Sequence, residues 1–286
     1  MSGRGPEPVE RDSRGILDPW LLRQHVQLTR YPAGPPLAGL VDWFWAVRWD
    51  LPAGQSHRQQ VLTHPGANIS VGHGNAQPGQ REPGPVEARL HGVARGLSSR
   101  LLVGSGWTVA ALTRPGGLGA FTAGSAAAFT DRVVPLGSAI GVAETALAAQ
   151  ITAAPDEAAR VGLLAGALEQ ALDPRQAGPA SQVAEAARLA ETNRAVRRLA
   201  DLSELAGPGP RTLQRMFLRY AGVSPMWVIR RYRLLDAAES VRAGTPVSWA
   251  EVAADLGYAD QAHLTRDFRA AIGQTPAAYA SAQPRG

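Results

Sequence analysis

Two short groups of side chains in the last third of the chain have the types and spacing to read a nucleic acid. The first is Arg211, Thr212, Gln214 and Arg215, followed one turn later by Arg219; the second is Gln261, Ala262, His263, Thr265 and Arg266, followed by Arg269. Arginine can pair bidentately with guanine and glutamine with adenine in a major groove, while arginines farther along a helix reach phosphates. Arg219 and Arg269 are therefore expected to be phosphate contacts, with Arg211, Gln214 and Arg215 reading one groove segment and Gln261, His263, Thr265 and Arg266 the next. An exposed helix histidine often does neither, and His263 has that bland reading beside the functional one.

The elements that must position these groups repeat. Residues 202–217 read LSELAGPGPRTLQRMF and residues 252–268 read VAADLGYADQAHLTRDF. Each copy is a small-residue helix ending at a glycine, Gly207 or Gly257, then a turn and a second helix. Glycine permits the positive φ that ends the first helix. Leu213 with Phe217, and Leu264 with Phe268, lie four apart and predict one apolar stripe packed on the first helix. The opposite face, with the groups above, is left outside. A helix predicted over residues 225–243 begins at a first-turn proline, Pro225. At 1.5 Å per residue it spans about 28 Å, enough to hold two recognition helices about 34 Å apart, one DNA turn.

The run RTLQRMFLRYAGVSPMWVIRRYRLLDAA, then WAEVAADLGYADQAHLTRDFRAAIGQTPAAYA, resembles the tandem helix-turn-helix domain of AraC/XylS-type bacterial transcription regulators. The resemblance covers roughly the last hundred residues. It implies seven helices in two subdomains joined by a rigid linker helix, and base contacts from the exposed positions. It also implies double-stranded DNA and RNA polymerase as partners, a homodimer, and an activator in the cytoplasm at the nucleoid. Pro208 and Gly209 depart from the pattern, standing where the family usually has an apolar residue and a serine cap. Glycine in place of a serine cap costs only a few tenths of a kcal/mol.

Composition bounds the alternatives. With 286 residues the chain has room for two domains, and 45% hydrophobic with 19% charged residues is ordinary globular composition. There is no cysteine, which excludes disulfides, thiolate zinc sites, a cysteine nucleophile and the cysteine methyl acceptors of DNA-repair proteins fused to such modules. All basic side chains are arginine, since the chain has no lysine. No stretch approaches the roughly 20 apolar residues of a membrane span, nor is there a signal-peptide core; a soluble cytoplasmic protein with no membrane partner is expected. Residues 1–192 hold 16 Arg against 16 acids and residues 193–286 hold 13 Arg against 8 acids, so the formal +5 lies in the C-terminal third. A basic module joined to a neutral one is what phosphate binding by one domain predicts.

Ahead of that module, residues 1–24 are expected to be a disordered tail. Strands are predicted over 25–31, 40–49, 61–63, 67–72, 88–95 and 101–113, separated by Gly and Pro. In the second of these Val41, Trp43, Trp45, Val47 and Trp49 alternate with Asp42, Phe44, Ala46 and Arg48, a period of two with one strongly apolar face. Residues 138–172 have helical spacing, broken into two helices at Pro155 and Asp156. The expected architecture is α+β in two domains: a β-rich barrel or sandwich with a helical connector over 25–172, a linker at 173–180, and an all-α double helix-turn-helix over 181–286.

Residues 25–172 resemble, less specifically, the sensor-type N-terminal domain of some bacterial regulators, through VDWFWAVRW, the RPGG turn and FTDRVVPL. The resemblance implies a small-molecule effector and dimerising helices. Trp43 and Trp45, with Trp49, are candidates for an effector pocket, and Arg114 beside Pro-Gly-Gly for holding an anion; a core stripe and a surface arginine are the bland readings. Trp227 and Trp249 read as core. His57, His64, His73 and His91 are scattered, with Glu82 and Glu87 between the last two and no His-x-His pair, so no metal site and no cofactor is expected. No Gly-x-Ser-x-Gly elbow is present, and the chain is not expected to be an enzyme. Two rival readings stay open, a metal-dependent barrel enzyme with a DNA-binding tail and a constitutive architectural DNA binder.

Overall fold

The computed structural model describes Gly15 and residues 26–77, 79–242, 248–255 and 257–282. The expected disordered tail lies outside the described residues apart from Gly15, whose carbonyl accepts the Leu62 N–H at 2.7 Å.

Eight strands come first: β1 (Val26–Pro32), β2 (Val41–Asp50), β3 (Ser56–Val61), β4 (Asn68–His73), β5 (Val86–His91), β6 (Ser98–Val103), β7 (Ser105–Thr113) and β8 (Val133–Pro135). Six form an antiparallel sheet in the order β1-β2-β7-β4-β5-β8, and β3 pairs with β6 in a separate ribbon. The arrangement is sandwich-like, and the barrel does not close. The run expected as one strand over 101–113 is two, divided at Gly104, where φ is +53°. Sequence reading placed a strand at 61–63; the strand is instead the polar stretch SHRQQV, of which only Val61 belongs to that run.

The stripe on β2 is also differently used. The register slips between Val41 and Trp43, and beyond this bulge Phe44 and Ala46 enter the main core with Ile69, Val71, Leu90 and Val109. A bulge inserts one residue and reverses which parity faces the core. Trp49 packs instead with Val26, Leu51 and Leu102 in a small cluster.

Three helices, not two, follow: α1 (Leu136–Ile140), α2 (Glu144–Ala153) and α3 (Glu157–Ala171). Asp156 caps α3, accepting the Ala159 N–H at 2.7 Å, the usual satisfaction of a first-turn donor. Leu147, Ile151, Val161, Leu164 and Leu168 cover the Phe44 face of the sheet.

Residues 173–180, expected as a linker, start a 19-residue helix, α4 (Pro174–Thr192). Asp173 caps it by accepting the Arg175 N–H at 2.9 Å, and Pro174 suits the first turn, where an N–H would be unpaired anyway. The Pro and Gly content that reads as a linker thus serves a helix start. Buried Ala180, Val183 and Ala184 give α4 a small-residue face, which the turn at Gly116 approaches closely. A Cβ there would lie 2.7 Å from the Val183 side chain, and its φ is +96°.

The rest is helical: α5 (Leu199–Ala206), α6 (Pro210–Tyr220), α7 (Pro225–Arg242), α8 (Trp249–Asp255), α9 (Gln261–Ile272) and α10 (Pro276–Ala282). With α4 they make seven helices among the described residues, the number implied by the resemblance. Their core includes Val183, Leu202, Leu213, Phe217, Val228, Leu235, Leu264 and Phe268, and Leu62 and Val93 from the β-rich part join it. The two parts therefore share one apolar cluster.

Candidate nucleic-acid interface

The first unit is α5, a turn and α6. Asp201 accepts the backbone N–H groups of Arg197 and Arg198 at 2.9 and 2.8 Å, fixing the start of α5; those two donors hold its carboxyl below the usual carboxylate range. Gly207 ends α5 at φ +93°. Gly209 caps α6 without a side-chain bond. Instead the Ser203 hydroxyl donates to the Pro208 carbonyl at 2.7 Å and ties the turn to α5. Leu213 and Phe217 are buried, Arg211, Gln214 and Arg215 are exposed, and Thr212 is half-buried.

Arg219 has another partner. Its guanidinium donates to the Ala123 carbonyl at 3.2 Å, in the β-rich part. Around it, the Ser125 hydroxyl donates to the Leu218 carbonyl at 3.0 Å, the Thr130 hydroxyl to the Gly222 carbonyl at 2.7 Å, and the Tyr220 hydroxyl to Gln176 at 3.0 Å. The C-terminal end of α6 is thus pinned while its N-terminal half is open. A phosphate role for Arg219 competes with this contact.

The second unit is α8, a turn at Gly257 with φ +70°, and α9. Asp260 caps α9 by accepting the His263 N–H at 2.7 Å. Leu264 and Phe268 are buried; Gln261, Ala262, Arg266 and Arg269 are exposed; His263 and Thr265 are half-buried. His263 packs edge-on to Tyr258 with ring centres 4.9 Å apart, and the Thr265 hydroxyl donates to the Gln261 carbonyl at 2.8 Å. Trp249, half-buried, meets Phe268 edge-on at 5.2 Å. Asp260→Ala is expected to cost about 1 kcal/mol of stability, the usual value of a lost cap, read as a lowered denaturant midpoint with an unchanged slope.

Between the units, α7 has 18 residues, or about 27 Å. Three consecutive or near-consecutive arginines fasten it on different sides. Arg230 lies over the Tyr258 ring at 5.2 Å, in the second unit. Arg233 donates to the Ala190 and Asn193 carbonyls at 2.9 and 2.8 Å, closing the end of α4. Arg231 is 2% exposed; it donates to the Thr63, Ala94 and Arg95 carbonyls of the β-rich part and stacks on half-buried Trp227 at 4.6 Å. Sequence reasoning passed over Arg231 and Arg233, although both lie at helical spacing among apolar residues.

In the β-rich part, Trp43 meets the His64 ring at 5.4 Å and the Arg30 guanidinium at 5.6 Å, and the Trp45 indole N–H donates to Asn68 at 3.0 Å. Arg114 is committed locally, donating to the Ala38 carbonyl at 3.1 Å and lying 3.7 Å from Asp42. Among the described residues no helix is long and apolar enough to cross a membrane.

Residues 202–282 match the family model described as a helix-turn-helix domain, and residues 29–135 match a domain of unknown function, DUF6597. No curated protein is matched. Among solved structures the chain is similar to a transcriptional regulator with an AraC-type DNA-binding domain from Chromobacterium violaceum, at 26% identity over 38% of this chain and 99% of that one, with TM-score 0.33. It is also similar to the C-terminal domain of AraT, a response regulator from Geobacillus stearothermophilus, at 23% identity over 37% of this chain and 88% of that one, TM-score 0.33. Finally it is similar to ToxT from Vibrio cholerae, at 9% identity over 83% of this chain and 98% of that one, TM-score 0.40.

Proposed function

We propose that this chain, whose C-terminal third is a helix-turn-helix domain of the AraC type, is a transcription regulator that places α6 and α9 in successive major grooves of one duplex. The observation that carries the reading is the repeated unit: two short helices, each buried through a Leu/Phe pair and exposed through Arg and Gln, on either side of one helix about 27 Å long. Arg211, Gln214 and Arg215 read one groove segment, and Gln261, Arg266 and the half-buried Thr265 and His263 the next. Arg269 contacts phosphate. The net positive charge of this third supplies the sequence-independent part of the affinity.

In this reading the β-rich part governs the DNA module through the shared core, in response to a small-molecule effector, and the chain acts as a homodimer that contacts RNA polymerase. The test is selection of bound sequences from random duplex DNA by the full-length protein at moderate salt. Two short blocks about 10 base pairs apart are expected, one helical turn between half-sites. A single block, or enrichment of nothing with and without candidate effectors, would refute two-groove reading.

A further inference from the structure

The faces that the six-stranded sheet and the β3–β6 ribbon turn toward each other carry polar groups whose charges do not balance. Across the ribbon His57 pairs with Leu102 and Gln59 with Arg100, so these four share a face. Leu102 packs with Trp49, and the Arg100 guanidinium lies 5.4 Å from the Trp49 ring centre, which turns that face toward the sheet. On the sheet the register sets Val47, Thr108, Gly72 and Glu87 in one row and Trp45, Ala110, Ser70 and Arg89 in the next. Trp49 shares their face.

Most of the polar groups there are satisfied. Arg89 holds Glu87 bidentately at 2.8 and 3.1 Å, so that carboxylate is spent. The Ser70 hydroxyl and His91 Nε2 are 3.0 Å apart, and burial, with Arg100 and Arg89 nearby, pushes His91 down to about 4, leaving it neutral at pH 7. Two groups are not satisfied. Arg100 reaches the His73 carbonyl with one Nη, but its solvent-inaccessible Nε has no partner among the described residues. The Thr108 hydroxyl, in a residue 2% exposed, likewise has none. Burial pulls Arg100 down to about 10 with no carboxylate opposing it; it remains a cation at pH 7.

An unpaired charge is the costliest thing to take out of water, and a guanidinium fork matches a carboxylate in shape as well as charge. We propose that this interior binds a small organic monocarboxylate on Arg100, with the Thr108 hydroxyl as a further donor and Trp49, Val47 and Leu102 as the wall for an apolar body. The apolar wall favours a carboxylate that carries an organic body over inorganic phosphate. The proposal rests on effector control by the β-rich part and names the chemistry of that effector.

The experiment uses the full-length protein and three acids, acetate, hexanoate and phenylacetate, each beside its neutral amide, with inorganic phosphate as a fourth anion. Thermal shift and calorimetry are read on wild type and on Arg100→Gln, which keeps a donor for the His73 carbonyl. Hexanoate or phenylacetate should stabilise wild type while its amide does not, and Arg100→Gln should weaken that acid roughly tenfold or more. Without ligand the variant should melt no lower than wild type, because it removes an uncompensated buried charge. No stabilisation by any of the acids, an amide as good as its acid, phosphate as the best ligand, unchanged affinity in Arg100→Gln, or a large fall in its melting temperature would each overturn the site. DNA affinity measured alongside separates the two readings. Acid binding through Arg100 without any change in DNA affinity removes effector control and leaves the site, whereas a neutral ligand that changes DNA affinity does the reverse.

Discussion

Arg231→Met is expected to lower the stability of the folded chain by about 3 kcal/mol and to let the two parts unfold separately, since hydrogen bonds from a charged group are worth about 1.5–3 kcal/mol each and unpaired buried carbonyls add to the loss. Arg231 donates to three carbonyls, at Thr63, Ala94 and Arg95, two of them at 3.4 Å. The longer bonds keep the sum well below three full contributions. Burial pulls its guanidinium down to about 10, with Asp131 opposing the shift. Methionine retains the stem and the contact with Trp227, so the loss reports the guanidinium. Denaturant unfolding is the measurement: one transition should become two, with amide protection lost around Thr63 and Ala94 first. Arg188→Met is the control. Arg188 pairs with Glu185 at 2.6 Å with both side chains about half exposed, and solvent screening leaves such a surface pair little weight in stability. If Arg231→Met costs no more than the control, the seam is held without it, by the apolar contacts of Leu62 and Val93 and by the bonds at the end of α6.

This seam was not legible in the sequence. Leu213 with Phe217 and Leu264 with Phe268 announce a stripe because both partners lie on one helix, and Gly207 and Gly257 announce a positive φ because that requirement is local. Arg231 is different, for its partners are backbone carbonyls 136 to 168 residues away, and carbonyls leave no mark on composition. The same holds for Arg100, whose place between two sheets depends on a ribbon formed by the polar stretch SHRQQV. Two misreadings have definite causes. A bulge at Val41 and Trp43 reversed which face of β2 enters the main core, and a period of two carries no record of such an insertion. Asp173 and Pro174 have both linker and helix-start readings, and the buried alanines of α4 decide for the helix only once the turn at Gly116 is packed on them.

The double variant Arg215→Ala with Arg266→Ala should lose base reading in both groove segments. Each arginine is exposed on its recognition helix, and each loss should cost about 1–3 kcal/mol in DNA affinity, roughly 5–150-fold, with relaxed preference at one base position. The two lie in separate helix-turn-helix units, so their effects should add, and selection from random duplex by the double variant should lose both enriched blocks. Uniform weakening across sequences, with a shallower salt dependence, would instead make the arginine a phosphate clamp. Arg219→Ala completes the comparison. Its guanidinium is engaged with the Ala123 carbonyl, so its loss should loosen the seam between α6 and the β-rich part and leave the salt slope unchanged. A slope reduced by about one would show that Arg219 leaves Ala123 for a phosphate when DNA binds. The end of α6 that is pinned here would then be the part that moves.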